Sequence, residues 1–172
     1  AIIDAAVDIT HPDLAPKVWT NPKEIPGNNL DDDNNGYRDD RNGWDFAANS
    51  PAPNYADDHG THVAGIAAAA ANNGAGIAGT SWGSPIMPLT VFNQSKICLT
   101  SWVAEAIRYA ADNGAKVINL SLGGYSFSNA LNDAVQYAQQ KGCVIVAAAG
   151  NNGNSILMYP AACENVIGVA AV

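Results

Sequence analysis

From Ser101 onward the chain alternates between two periods, and that alternation narrows the folds open to it more than any other feature. Val103, Ile107 and Ala111 recur at four-residue spacing, predicting a helix that Ser101 caps and Asn113-Gly114 closes. Val117-Ile118-Asn119-Leu120 then reads as a short buried strand. A second helix follows, capped by Ser128, with Leu131, Val135 and Ala138 on one face and Gly142 past its end. Val144–Ala149 is a second apolar strand, and Val166–Val172 begins another. Apolar strands alternating with amphipathic helices mean βαβ units, hence an α/β fold with a mostly parallel sheet flanked by helices on both faces.

The first half is less regular. Ala1-Ile2-Ile3 is an apolar strand running into Asp4, and Ile86–Phe92 is another strand, with Pro88 placing it at an edge or a strand start. Between them, residues 15–58 show little periodicity. Pro16, Pro22, Pro26, Pro51 and Pro53 predict long surface excursions there. His59-Gly60-Thr61-His62-Val63-Ala64-Gly65 opens an alanine-rich helix ending near Ala71, whose small residues permit close packing.

A length of 172 residues with 48% hydrophobic content suits one domain with a sizeable core. The net charge of −8 argues against nucleic acid and against anionic membrane surfaces as partners. Cys98, Cys143 and Cys163 are too scattered for a disulfide framework or a CxxC metal site, and Cys143 reads as a small core residue. No apolar run approaches the roughly 18 residues of a membrane span. The abrupt apolar ends make residues 1–172 read as part of a longer protein, truncated at both ends.

Polar residues cluster at strand ends. Asp4, Ser121 and Asn151 each follow an apolar strand at its carboxyl end, where open parallel sheets hold their ligands. His59 stands at a helix mouth, and imidazole is the side chain best suited to carry a proton near neutrality. Together these residues point to a site, although each alone is compatible with an ordinary turn or helix cap.

Asp4 with His11-Pro12-Asp13-Leu14, His59 through Gly65, Asn119-Leu120-Ser121-Leu122-Gly123-Gly124, and Ala148-Ala149-Gly150-Asn151 make four motifs. In order and spacing they resemble the subtilisin-type serine peptidases along essentially the whole chain. The resemblance implies a three-layer subtilisin-like fold, here its N-terminal portion. It also implies a serine endopeptidase using a Ser-His-Asp triad, with His59 as general base, Asp4 orienting it and Asn151 donating to the oxyanion. Ser121, Leu122, Gly123 and Gly124 would pair with substrate backbone. With Ala148, Ala149 and Gly150 they would line the pocket for the side chain before the cleaved bond. Protein or peptide substrates, an upstream propeptide and a secreted setting follow from the same resemblance.

The departures are specific. The Gly-Thr-Ser-Met-Ala-like nucleophile motif does not occur within these residues and is expected beyond Val172. Residues 1–172 by themselves are therefore expected to be inactive. Ala5 and Ala6 stand where the family carries Thr or Ser and then Gly, removing a hydroxyl and straining the turn if it needs positive φ. Lys96-Ile97-Cys98-Leu99 replaces a small substrate-facing edge with bulkier residues. These departures leave open a catalytically inactive relative acting as a peptide-binding or structural module.

Asp31, Asp33, Asn35, Tyr37 (through its carbonyl) and Asp39, with Gly36 at the sixth position, have the spacing of a calcium loop. Asn42 in place of a bidentate Glu, and flanks without helical pattern, rule out an EF-hand. Structural Ca²⁺ is the expected cofactor, set against a merely solvated acidic turn. Gly74-Ala75-Gly76-Ile77-Ala78-Gly79 matches GxGxxG but follows a helix, the wrong context for a dinucleotide. His59 and His62 lack the Glu and spacing of HExxH, so a zinc hydrolase is disfavoured and His62 is expected to pack beside His59. A half-sheet ending at Val172 is expected to be poorly soluble or to associate.

Overall fold

The computed structural model describes residues 1–51 and 58–171, so Pro53 of the expected excursion lies outside it. The chain forms two compact units, Ile2–Ile97 and Ala1 with Cys98–Val172. In each unit the strands pair in parallel.

The first unit holds β1 (Ile2–Asp4), β2 (Trp44–Asp45), α1 (His59–Ala68) and β3 (Pro88–Thr90). β3 lies between its partners, with Ile3 beside Leu89 on one side and Trp44 beside Leu89 on the other. Pro88 is therefore a strand start, as its missing N–H requires, and not an edge residue of this unit. Ala64 and Ala68 of helix α1, with Ala69 at its C-cap, pack with Ile2, Val7, Leu14 and Ile86. Small side chains on that face let the helix axis come close to β1. Residues 15–43 carry only a 3₁₀ turn, Ala15–Lys17, and are held by side chain to backbone bonds.

The second unit holds α2 (Thr100–Asp112), β4 (Val117–Leu120), α3 (Asn129–Gln140), β5 (Val144–Ala148) and β6 (Ile167–Val169). β5 pairs with β4 from Val117–Val144 to Leu120–Ala147, and with β6 from Val146–Ile167 to Ala148–Val169. The helices pack on each other, and α3 also packs on β5. Val103, Ile107, Leu131, Val135, Ile118, Leu120 and Ile145 are all buried. Each such side chain contributes about 1.5–3 kcal/mol by leaving water. Cys143 is buried as expected, its thiol donating to the Ala115 carbonyl.

Two helix starts test the sequence reading. Ser128 caps α3 by accepting the Leu131 N–H at 3.4 Å. Ser101 does not cap α2. The helix begins one residue earlier, at Thr100, with Leu99 at the cap position and no side-chain cap bond. Both helices end on left-handed glycines, Gly114 (φ +82°) and Gly142 (φ +84°).

Candidate active site

Asp4 is the last residue of β1 and is 1% exposed. Its Oδ1 accepts the Ala5 N–H at 2.7 Å and lies 2.6 Å from Nδ1 of His59. His59 is the first residue of α1, and its side chain is about half exposed. An ionised carboxylate can only accept, so with Asp4 ionised the imidazole holds a proton on Nδ1 toward it and turns Nε2 away from it. Chemically, such a pair is able to take a proton at Nε2, the carboxylate stabilising the resulting imidazolium.

The approach is close because Gly60 has no side chain. A Cβ built there would lie 2.2 Å from the Ala5 carbonyl oxygen and 2.9 Å from that of Ala6. Thr61 adds a second tie, its hydroxyl accepting the Asp8 N–H at 2.9 Å. Asp8 in turn is held below the usual carboxylate range, chiefly by the Thr10 hydroxyl at 2.6 Å and also by the Thr10 N–H. Ala5 and Ala6 are buried and neither has positive φ, so the strain expected at that turn does not arise. His62 is exposed. Its backbone N–H bonds the Asp58 carbonyl as part of the first helical turn.

In the second unit, Ser121 follows β4 directly and its Oγ accepts from the Asn119 amide at 3.0 Å. Leu122 is half-buried, while Gly123 and Gly124 are exposed. Gly124 and Tyr159 exchange two backbone bonds of 2.9 and 2.8 Å in an antiparallel bridge. Ala148 ends β5, Ala149 donates to Val169 at 2.8 Å, and Gly150 takes φ +98°. Asn151 is exposed just beyond. The Asn152 amide donates to the Tyr125 hydroxyl, and the rings of Phe127 and Tyr159 meet edge to face at 5.3 Å. The loops after β4 and β5 are thus tied to each other around the Met158-Tyr159 segment.

The acidic loop brings together part of the expected set. Among the described residues, Glu24, Asp31 and Asp33 place one carboxylate oxygen each within 4.8 Å of one another. Asp31 accepts the Asn35 and Gly36 N–H groups at 3.0 and 2.8 Å, and Asn35 Oδ1 accepts the Tyr37 N–H at 2.8 Å. Asp39 lies outside that group, its two oxygens accepting the N–H groups of Gly27 and Asn29 at 2.8 and 2.6 Å. Glu24 carries no spacing signal in the sequence, since it precedes the loop by seven residues. It is 3% exposed, Oε1 accepts the Asp32 N–H at 2.9 Å, and Oε2 is buried without a hydrogen-bond partner. Burial pushes its carboxyl above the ordinary range.

The Subtilase family model matches residues 1–172. The chain belongs to the Subtilase family. Two subtilase relatives are thermitase of Thermoactinomyces vulgaris and a thermophilic serine proteinase of Bacillus sp. (strain AK1). Thermitase is 45% identical over 171 residues, covering 99% of this chain and 53% of its own length. The Bacillus proteinase is also 45% identical, covering 100% of this chain and 37% of its own length. Among solved structures, a psychrophilic protease superposes with a TM-score of 0.79 at 31% identity, over 100% of this chain and 54% of that one. The chain thus spans about half or less of these proteins, and the likeness to solved structures is that of an α/β three-layer fold. Among the described residues, no helix is long and apolar enough to cross a membrane.

Proposed function

We propose that this chain is the portion of a serine endopeptidase that supplies the general base and its orienting carboxylate. The Asp4–His59 contact of 2.6 Å, with a buried acceptor and a half-exposed imidazole, carries that reading. Membership in a family whose named relatives are serine proteinases supports it. In the full-length gene product a serine from a segment beyond Val172 completes the triad. His59 takes its proton as the serine attacks the peptide carbonyl and returns it to the leaving amine. Asn151 donates its amide to the oxyanion, and its exposed position after β5 leaves it accessible for that role. Exposed Gly123 receives the substrate backbone, the N–H and C=O of Gly124 being taken by Tyr159 instead, and the Ser121–Gly124 and Ala148–Gly150 segments form the walls of the pocket preceding the cleaved bond.

Calcium is the cation this reading assigns to Glu24, Asp31 and Asp33, with Asn35 and the Tyr37 carbonyl as further oxygen donors. The fit rests on chemistry: hard oxygen donors, a buried glutamate oxygen with no donor facing it, and three carboxylates held close together. A divalent ion there neutralises that repulsion and pins the 24–36 loop. A secreted protein meets calcium at concentrations that would fill such a site.

The test is active-site labelling of the full-length gene product with a fluorophosphonate. Covalent labelling that His59→Ala abolishes supports the reading. A folded protein that never labels overturns it in favour of a binding module built on the same fold.

A further inference from the structure

We propose that Met158 fixes the substrate class, restricting cleavage to bonds that follow small side chains such as Gly, Ala or Ser. The inference rests on the reading above, in which the Ser121–Gly124 and Ala148–Gly150 segments wall the pocket for the residue before the cleaved bond. Those two walls face the same methionine. A Cβ on Gly123 would lie 2.7 Å from Cγ and 2.8 Å from Sδ of Met158. A Cβ on Gly150 would lie 2.9 Å from its Cε and 3.1 Å from its Sδ. The glycines leave no empty slot, because the thioether fills the space their missing side chains vacate.

The backbone that carries Met158 is held on both sides. Its carbonyl accepts the Ala162 N–H at 2.8 Å, and the adjacent Tyr159 is locked to Gly124 by the paired backbone bonds. Phe127 covers the Tyr159 ring. The side chain therefore enters the slot from a fixed root. A substrate methyl group needs little room at the mouth, whereas a phenyl ring needs the volume that Cγ, Sδ and Cε occupy. Methionine is adaptable, but moving it out exchanges its contacts with both walls for solvent. The signal in the sequence was absent: a lone methionine in an irregular loop belongs to no motif.

The experiment measures kcat/KM of the full-length gene product on succinyl-Ala-Ala-Pro-Xaa-p-nitroanilides, with Ala, Leu or Phe as Xaa. Fluorophosphonate labelling of each variant certifies an assembled site. The parent should favour Ala over Phe by at least about 10-fold, and Met158→Gly should raise the Phe-to-Ala ratio on the order of 100-fold, the range by which pocket shape discriminates apolar groups. Met158→Leu, which keeps the volume, should leave the ratio within a few-fold of the parent. Met158→Ala supplies the same opening with less backbone freedom if the glycine variant fails to label. A parent that cleaves after Phe as readily as after Ala, or a ratio unmoved in the labelled small variants, overturns the role of Met158 alone. Absence of both labelling and hydrolysis overturns the peptidase reading and this proposal with it.

Discussion

On the proposed reading, Gly60→Ala should disable the full-length peptidase while leaving most of its stability. The added methyl would sit 2.2 Å from the Ala5 carbonyl oxygen, so the start of α1 must retreat by roughly 1 Å to reach ordinary van der Waals separation. His59 is the preceding residue and moves with it. Transmitted in full, that shift opens the 2.6 Å Asp4–His59 contact to about 3.6 Å, beyond hydrogen-bond range. A misplacement of this size costs about 100-fold in rate. The stability cost is smaller: overpacking costs about 1–3 kcal/mol, and exchanging helical Gly for Ala returns up to about 1 kcal/mol. Gly65→Ala on the same helix is the control, because its Cβ would meet only Ile77 Cδ1 at an ordinary 3.5 Å. Peptide hydrolysis and thermal unfolding of the full-length gene product are the assays. Gly60→Ala should lose kcat/KM by at least about 100-fold with a modest fall in Tm. Gly65→Ala should stay within about threefold, less than 1 kcal/mol of barrier, and melt no lower. Equal activity in the two variants would refute the claim that Gly60 sets the distance between helix and strand.

Glu24→Gln tests the cation site. Burial raises the Glu24 carboxyl in the fold, so its contribution is full below the unfolded value of about 4.3 and is lost as pH rises through the higher folded value. In chelator at pH 7 the variant should therefore melt at or above the parent. In calcium the parent gains about 2.7 kcal/mol at 100 times Kd, and the variant should lose most of that gain; equal calcium-induced Tm shifts would exclude Glu24 as a ligand. Asp13 shows the opposite sign. It is held low, first by the Asn73 amide at 2.7 Å and then by the Ile77 N–H at 3.0 Å, so its contribution is full above about pH 4 and is lost as pH falls through the lower folded value. Asp13→Asn should flatten the acid limb of a Tm-against-pH curve, and an unchanged limb would contradict that. Ser128→Ala should cost about 0.5–1 kcal/mol in denaturant unfolding, the low end for an N-cap because the 3.4 Å bond is long.

The second half of the fold was legible because α2 and α3 bury one face each, and burial writes its period into the sequence. Val103, Ile107 and Ala111, then Leu131, Val135 and Ala138, are buried where their spacing placed them. β2 was not legible: Trp44-Asp45 is too short to show any period, and its partner Leu89 lies far along the chain. Asp4 and His59 were readable because strand end and helix mouth are local features with chemical side chains. Their coupling came only with the family resemblance and not from the residues themselves, since it depends on how nearly Gly60 touches Ala5, a relation across the fold. Glu24 and Met158 escaped for the same reason. Each acquires its role from neighbours distant in sequence: Asp31 and Asp33 for the first, Gly123 and Gly150 for the second.

The most direct measurement is kcat of the full-length gene product with Asp4→Asn beside the parent. Asparagine keeps the size of Asp4 but presents an amide to His59, disfavouring the tautomer with the proton on Nδ1 and removing the charge that stabilises the imidazolium. A folded variant slowed by about 10⁴-fold, the scale seen for such a replacement in serine peptidases, is the predicted result. A folded variant within about tenfold of the parent, roughly 1.4 kcal/mol of barrier, would contradict the assignment of Asp4 and His59 as a working pair.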